Sequence, residues 1–160
     1  MSLPRTNMLI EATASDFAAL TRGRGPRNLR LVADIAPPEV LAMLGDLAAT
    51  IRASFAPAAW LVVEDDTVVG LLSLIRPPDE DAVTIGYGIA PASQGRGIAT
   101  RAVTDLLAWA KADPRVGTVV AETALDNLAS QKVLTANGFV RAGERVDPED
   151  GPVIVWRRSP

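Results

Sequence analysis

The sequence predicts an α/β domain built on one mixed sheet, with helices covering both faces. Two patterns predict it. β-rich runs alternate with amphipathic helical stretches in the order helices, three strands, helix, strand, helix, two strands. The run "VGTVVAET" ending at Thr123 is almost continuously apolar, which suits a central strand shielded on both sides. At 160 residues the chain is long enough for one such domain with a core of its own, and residues 1–160 are read as a single domain.

The elements follow in order. Residues 1–35 carry the faintest pattern: "TASDFAALTRG" fits a short helix capped at Thr13 or Ser15, and "NLRLVADI" fits a strand. Pro37-Pro38-Glu39 opens a helix whose apolar positions 40, 41, 44, 47, 48 and 51 share one face. Runs at 59–64 and 67–75 flank Asp65-Asp66 and read as a hairpin. A turn over Pro77–Asp81 leads to a third strand at 82–90. From Ile98 to Lys111 the apolar residues 99, 102, 103, 106, 107 and 110 mark an amphipathic helix, which Asp113-Pro114 ends. The strand "VGTVVAET" is followed by a helix in "NLASQKVLTANGF", closing at Asn137-Gly138. A second hairpin turns around Pro148–Pro152. Trp60, Trp109 and Trp156 fall in these elements as packing residues.

Composition excludes several classes of chemistry. Hydrophobic residues make up 48% and charged residues 22%, ordinary for a globular domain. The net charge of −3 offers no basic excess for a nucleic-acid backbone, so no nucleic-acid partner is expected. There is no cysteine, hence no disulfide, thiolate nucleophile or thiolate metal site. There is no histidine, hence no histidine triad or imidazole ligand, and no metal is expected. Proton transfer falls to carboxylates, lysine, hydroxyls, water and Tyr87, the chain's one tyrosine. No long apolar run and no signal-peptide pattern stand in the sequence, so no membrane association and a cytoplasmic location are expected.

The stretch "GYGIAPASQGRGIATRAV" from Gly86 to Val103 takes a strand through Gln94-Gly95-Arg96-Gly97 into a helix. Glycines at a helix mouth let backbone N–H groups approach a ligand, and the helix dipole favours an anion there. A dinucleotide fingerprint is a poor match, because Thr100 stands where the third glycine belongs. A P-loop fails for want of Gly-Lys-Ser/Thr. A tight turn with no ligand is the plain alternative. Gln94-Gly95-Arg96-Gly97-Ile98-Ala99 fits Q/R-x-x-G-x-G/A, "GYGIAP" precedes it, and "VVAETALDNLASQKVLTANGF" follows.

With these motifs the chain resembles the GNAT superfamily of acyl-CoA-dependent N-acyltransferases, and within it the branch of ribosomal-protein N-terminal acetyltransferases. The resemblance covers residues 58–160, with its most specific motifs between about 82 and 142. Residues 1–57 are read as acceptor-side helices and a first strand. It implies a GNAT-like mixed, mostly antiparallel sheet of about six to seven strands flanked by about four helices. It implies acetyl-CoA as cosubstrate, a primary amine (protein N-terminus or small molecule) as acceptor, and a homodimer as the family-level oligomer. The coenzyme pyrophosphate then falls on Gln94, Gly95, Arg96, Gly97, Ile98, Ala99 and Thr100. The pantetheine falls on the backbone of Gly88 and Ile89 with Tyr87 adjacent, and Asn127 contacts the coenzyme.

Glu122 ends an apolar strand, so it is either the buried partner of an arginine or a general base whose pKa burial raises. The resemblance implies the base, acting directly or through water. Asn127 also reads as a helix N-cap. Ser130 matches a serine assigned as coenzyme contact or thiolate-protonating acid. Many relatives carry a tyrosine acid where this chain has Leu134, so either Ser130, Tyr87 or solvent protonates the thiolate, or the coenzyme leaves as thiolate unaided. A non-catalytic acyl-CoA-binding or regulatory module on the same fold is the alternative function.

Overall fold

The structure, a computed structural model, describes residues 8–160. Residues 1–7, which begin the stretch read for a leader pattern, lie outside the described residues. The strands are β1 (Leu9–Glu11), β2 (Arg30–Leu31), β3 (Ala59–Glu64), β4 (Thr67–Leu74), β5 (Ala82–Ile89), β6 (Thr118–Ala124), β7 (Val140–Asp147) and β8 (Gly151–Arg158). The α-helices are α1 (Ala14–Thr21), α2 (Pro38–Arg52), α3 (Ile98–Ala112) and α4 (Leu128–Ala136). The sheet runs β1-β3-β4-β5-β6-β8-β7, with β2 beside β4. Among the described residues, only the β5–β6 and β2–β4 pairs are parallel. The described residues form eight strands, against about six to seven expected. β2 falls within the run "NLRLVADI" read as a strand, and β1, three residues long, is too short to show a period.

Local chemistry explains the boundaries. Thr13 caps α1: its hydroxyl accepts from the Asp16 N–H at 3.3 Å, and the Asp16 carboxylate accepts from the Thr13 N–H at 2.7 Å. Pro38 opens α2, where a missing N–H costs nothing. Asp65 and Asp66 take φ of 51° and 58°, the left-handed pair that a two-residue hairpin between twisted strands requires. Asp147 turns the last hairpin by accepting from the Glu149 and Asp150 N–H groups at 3.0 and 2.9 Å.

Register fixes which side chains share a face. Trp60 pairs with Leu72, and Leu72 with Tyr87, so the three lie on one face. The Trp60 ring meets Trp109 of α3 at 5.0 Å between centroids, so this is the α3 face. Ile85 pairs with Ala121, two residues before Tyr87, which puts Ala121 and Thr123 on the α3 face and Glu122 on the other. All three tryptophans pack, as expected; the Trp156 indole N–H is satisfied by the Thr123 hydroxyl at 2.9 Å. Leu134 anchors α4 with none of its surface exposed. Among the described residues no helix is long and apolar enough to cross a membrane.

Candidate active site

The sheet opens in its middle. β5 and β6 pair from Ala82↔Thr118 to Ile85↔Ala121 and no further. Beyond that point β5 keeps β4 as neighbour through Ile89, and β6 keeps β8 through Ala124. The Thr84 carbonyl accepts from the Ile75 N–H and the Ala90 N–H donates to the Val69 carbonyl, both toward β4. Strand alternation turns the backbone groups of Gly86 and Gly88 the same way, and those of Tyr87 and Ile89 into the gap. The residues expected to meet the pantetheine were Gly88 and Ile89. Of the cleft-lining residues of β5, Tyr87 and Ile89 turn their backbone groups into the gap and Gly88 turns its own toward β4. The Ile89 carbonyl already accepts from the Gln94 side-chain amide at 2.9 Å.

A cleft of about 510 Å³ runs from this gap to the mouth of α3. Gln94, Gly95, Gly97, Ile98, Ala99, Thr100, Asn127 and Ser130 line it together with Tyr87, Gly88 and Ile89. Gly95 and Gly97 take φ of 80° and 75°, conformations that side chains disfavour. No protein atom lies within 4 Å of where a Cβ on Gly95 would sit, so the turn presents bare backbone to the cleft. The first helical hydrogen bond is donated by Arg101 to the Gly97 carbonyl at 3.1 Å. The N–H groups of Ile98, Ala99 and Thr100 are therefore left free of helix partners. These donors fit a diphosphate.

Arg96 departs from expectation. It does not line the cleft; its guanidinium leans toward Glu64 at 3.7 Å, and Arg101 holds the same carboxylate at 2.7 Å. Arg101 also donates to the Arg96 carbonyl at 3.2 Å, so this cluster braces the outside of the turn. The sequence reading did not find that brace, since Glu64 lies 37 residues from Arg101. Nor did it single out Lys132, the charged side chain in the cleft wall.

On the α4 side, the Asn127 carbonyl oxygen accepts from the Ser130 N–H at 3.1 Å, a helix cap made by a cleft-lining residue. Tyr87 reaches across the gap, its hydroxyl 2.8 Å from the Ser130 Oγ. Burial raises the Tyr87 phenol above its ordinary value, with the Ser130 hydrogen bond opposing.

Glu122 stands just past the last β5–β6 pair, on the face away from α3. Arg145 grips its carboxylate through Nε and through Nη2 at 2.8 Å, and Arg76 adds a contact at 3.2 Å. Asp147 in turn accepts from Arg145 at 3.0 Å. The side chain is 11% exposed. The Arg145 hydrogen bonds pull the carboxyl below its ordinary value of 4.5, outweighing burial, with Arg76 helping. Of the two environments the sequence left open, the structure has the arginine-paired one. The pKa is lowered, not raised, because two guanidiniums outcompete desolvation.

A mixed sheet that parts beside a glycine-mouthed helix defines the GNAT fold. The chain belongs to the acetyltransferase (GNAT) domain family, whose model matches residues 8–140. An uncharacterized N-acetyltransferase, YjdG, of Bacillus subtilis (strain 168) is 31% identical over 85 residues, 51% of this chain and 51% of that one. The match thus spans about half the length of that curated relative. The Salmonella typhimurium acetyl transferase that modifies the N-terminal serine of the 50S ribosomal subunit protein L7/L12 superposes with a TM-score of 0.72 at 19% identity, covering 95% of this chain and 94% of that one. An aminoglycoside acetyltransferase solved with coenzyme A gives a TM-score of 0.68 at 18% identity, over 95% and 94% of the two chains. At such identities these likenesses speak for the fold.

Proposed function

We propose that the chain is an acetyl-CoA-dependent N-acetyltransferase acting on a primary amine, either a protein N-terminus or a small-molecule amine. The observation that carries this reading is the gap beyond Ile85 and Ala121, beside a cleft lined by the α3 mouth, Tyr87 and Ser130. Both forms of amine acceptor occur among proteins of the same fold: a ribosomal-protein serine in one, an aminoglycoside in another.

Bound acetyl-CoA supplies a thioester whose acetyl carbon an amine nitrogen can attack. The chain's residues do the rest. The N–H groups of Ile98, Ala99 and Thr100 hold the pyrophosphate at the positive end of α3. The backbone edge of Tyr87 and Ile89 offers strand-like partners to the pantetheine amides, and Asn127 with Ser130 closes the α4 side. Aligning the two reactants in the gap removes the entropy of a bimolecular encounter, a large part of what such an enzyme contributes.

Glu122 is the proposed acceptor of the ammonium proton, through water. Its arginine clamp holds the carboxyl below its ordinary value, so it is ionised at neutral pH and in the accepting form. The same clamp lowers its proton affinity, so the proton passes on to solvent. Arg145 and Arg76 also favour a second reading of this residue, as a strut tying β6 to β7 and to the segment after β4.

The test is direct. With no cysteine in the chain, a thiol reagent reads released coenzyme A without background from the protein. A panel of primary amines with acetyl-CoA is expected to give thiol release with at least one member. Coenzyme binding with no release by any amine is the result that favours a non-catalytic module.

A further inference from the structure

Resting on the acetyltransferase reading, we propose that Tyr87 is the proton donor to the departing coenzyme thiolate, entering the site from β5 and not from helix α4. Tyr87 lines the cleft, on the strand whose unpaired edge faces the gap beyond Ile85 and Ala121. Its position is set by Ser130, with the hydroxyls 2.8 Å apart and the Ser130 carbonyl at 3.4 Å. The phenol O–H donates to the Ser130 carbonyl at 3.4 Å; with the Ser130 hydroxyl donating to the phenol oxygen, rotation about the phenol C–O bond turns that proton from the carbonyl toward the gap.

Leu134 and Glu122 are poorly placed as donors. Leu134, where relatives bear a tyrosine, is fully buried and apolar. Glu122 lies on the opposite face of the sheet, held as an anion by two arginines. Besides Tyr87, Lys132 is the one ionisable side chain lining the cleft. A serine hydroxyl is far less acidic than a phenol, whereas an ordinary tyrosine at about 10 lies within roughly two units of a thiol near 8.5. Burial keeps the phenol protonated at neutral pH.

The step balances. The amine nitrogen bonds to the acetyl carbon, the C–S bond breaks, and its electron pair stays on sulfur. The Tyr87 proton moves to sulfur, giving the free thiol. The phenolate recovers a proton from the Ser130 hydroxyl, which takes one from water. The nitrogen gives up two protons between ammonium and amide: the first leaves by the Glu122 face before attack, and the second, lost as the C–S bond breaks, neutralises the hydroxide that this water leaves.

Because the chain holds a single tyrosine, biosynthetic 3-fluorotyrosine labels position 87 alone. The pH titration of its fluorine resonance is recorded for the free protein, with coenzyme A, and with desulfo-coenzyme A. An ionising thiol beside the phenol is expected to move the midpoint by on the order of one unit, while the sulfur-free analogue leaves it in place. In turnover, Tyr87→Phe is expected to lower kcat about 100-fold with the KM for acetyl-CoA little changed. Enzyme carrying 3,5-difluorotyrosine is expected to shift the alkaline limb of kcat to lower pH. Equal midpoints with the two coenzymes, or a Phe variant with kcat within about twofold of wild type, overturn the assignment alone. No fluorine response to either coenzyme, and no thiol release by wild type, overturn the acetyltransferase reading and this assignment together.

Discussion

Glu122 carries the proposed proton transfer from the amine, on the sheet face away from α3. Its partners Arg145 and Arg76 lie 23 and 46 residues away, so no local pattern could announce the clamp. The sequence marked the residue itself, because a carboxylate interrupting an apolar strand is conspicuous. Glu122→Gln keeps the shape and deletes the charge. If Glu122 takes the proton, kcat is expected to fall about 100-fold while the melting temperature moves little. If it is only a strut, the order reverses. Arg145→Met is the complementary probe. Its guanidinium is the largest influence lowering the Glu122 carboxyl, so its removal lets that pKa rise toward 4.5. The acid limb of the pH–rate profile is then expected to move to higher pH; an unmoved limb excludes Glu122 as the titrating base.

At the scale of elements, the strand–turn–helix from β5 to α3 was the most legible part of the chain. Two glycines before an amphipathic helix have few structural explanations, and both adopt positive φ. Gly97→Ala places a side chain at φ 75°, so a loss of about 1 to 2 kcal/mol in denaturant unfolding is expected, together with weaker acetyl-CoA binding. The Tyr87–Ser130 contact was not legible as a contact, since 43 residues separate its members. Only the gap in the sheet brings β5 and α4 face to face. The neighbouring Thr123–Trp156 bond ties β6 to β8 inside the core. Thr123→Val keeps the shape and orphans the indole N–H, with an expected cost of about 1 to 3 kcal/mol, read by urea unfolding.

For the whole molecule, the sequence showed most of the middle and C-terminal elements because their periods run for six residues or more. β1 went unread because three residues give no period, while β2 is a two-residue part of the longer run read as a strand; they join the sheet at β3 and β4. Electrostatics gives the fold a definite acid behaviour. Asp16, held by Arg27 and Thr13 against its burial, and Glu122, held by Arg145 and Arg76, both have pKa values below ordinary. Depressed carboxyl values contribute stability above the unfolded values of 3.8 and 4.5 that is lost as pH falls through the folded ones. With no histidine to titrate, the melting temperature is expected to stay flat from about pH 6 to 8 and drop below about pH 4. A drop centred near pH 6 contradicts this.

The central claim is that the glycine turn and the gap beside it form one acetyl-CoA site. Calorimetric titration of the protein with acetyl-CoA, with NAD as control and Gly97→Glu as the blocked variant, tests it most directly. The expected result is one-site binding of acetyl-CoA, no heat with NAD, and no binding by the variant. No acetyl-CoA binding by the wild type, or unchanged affinity with glutamate at the helix mouth, contradicts the account.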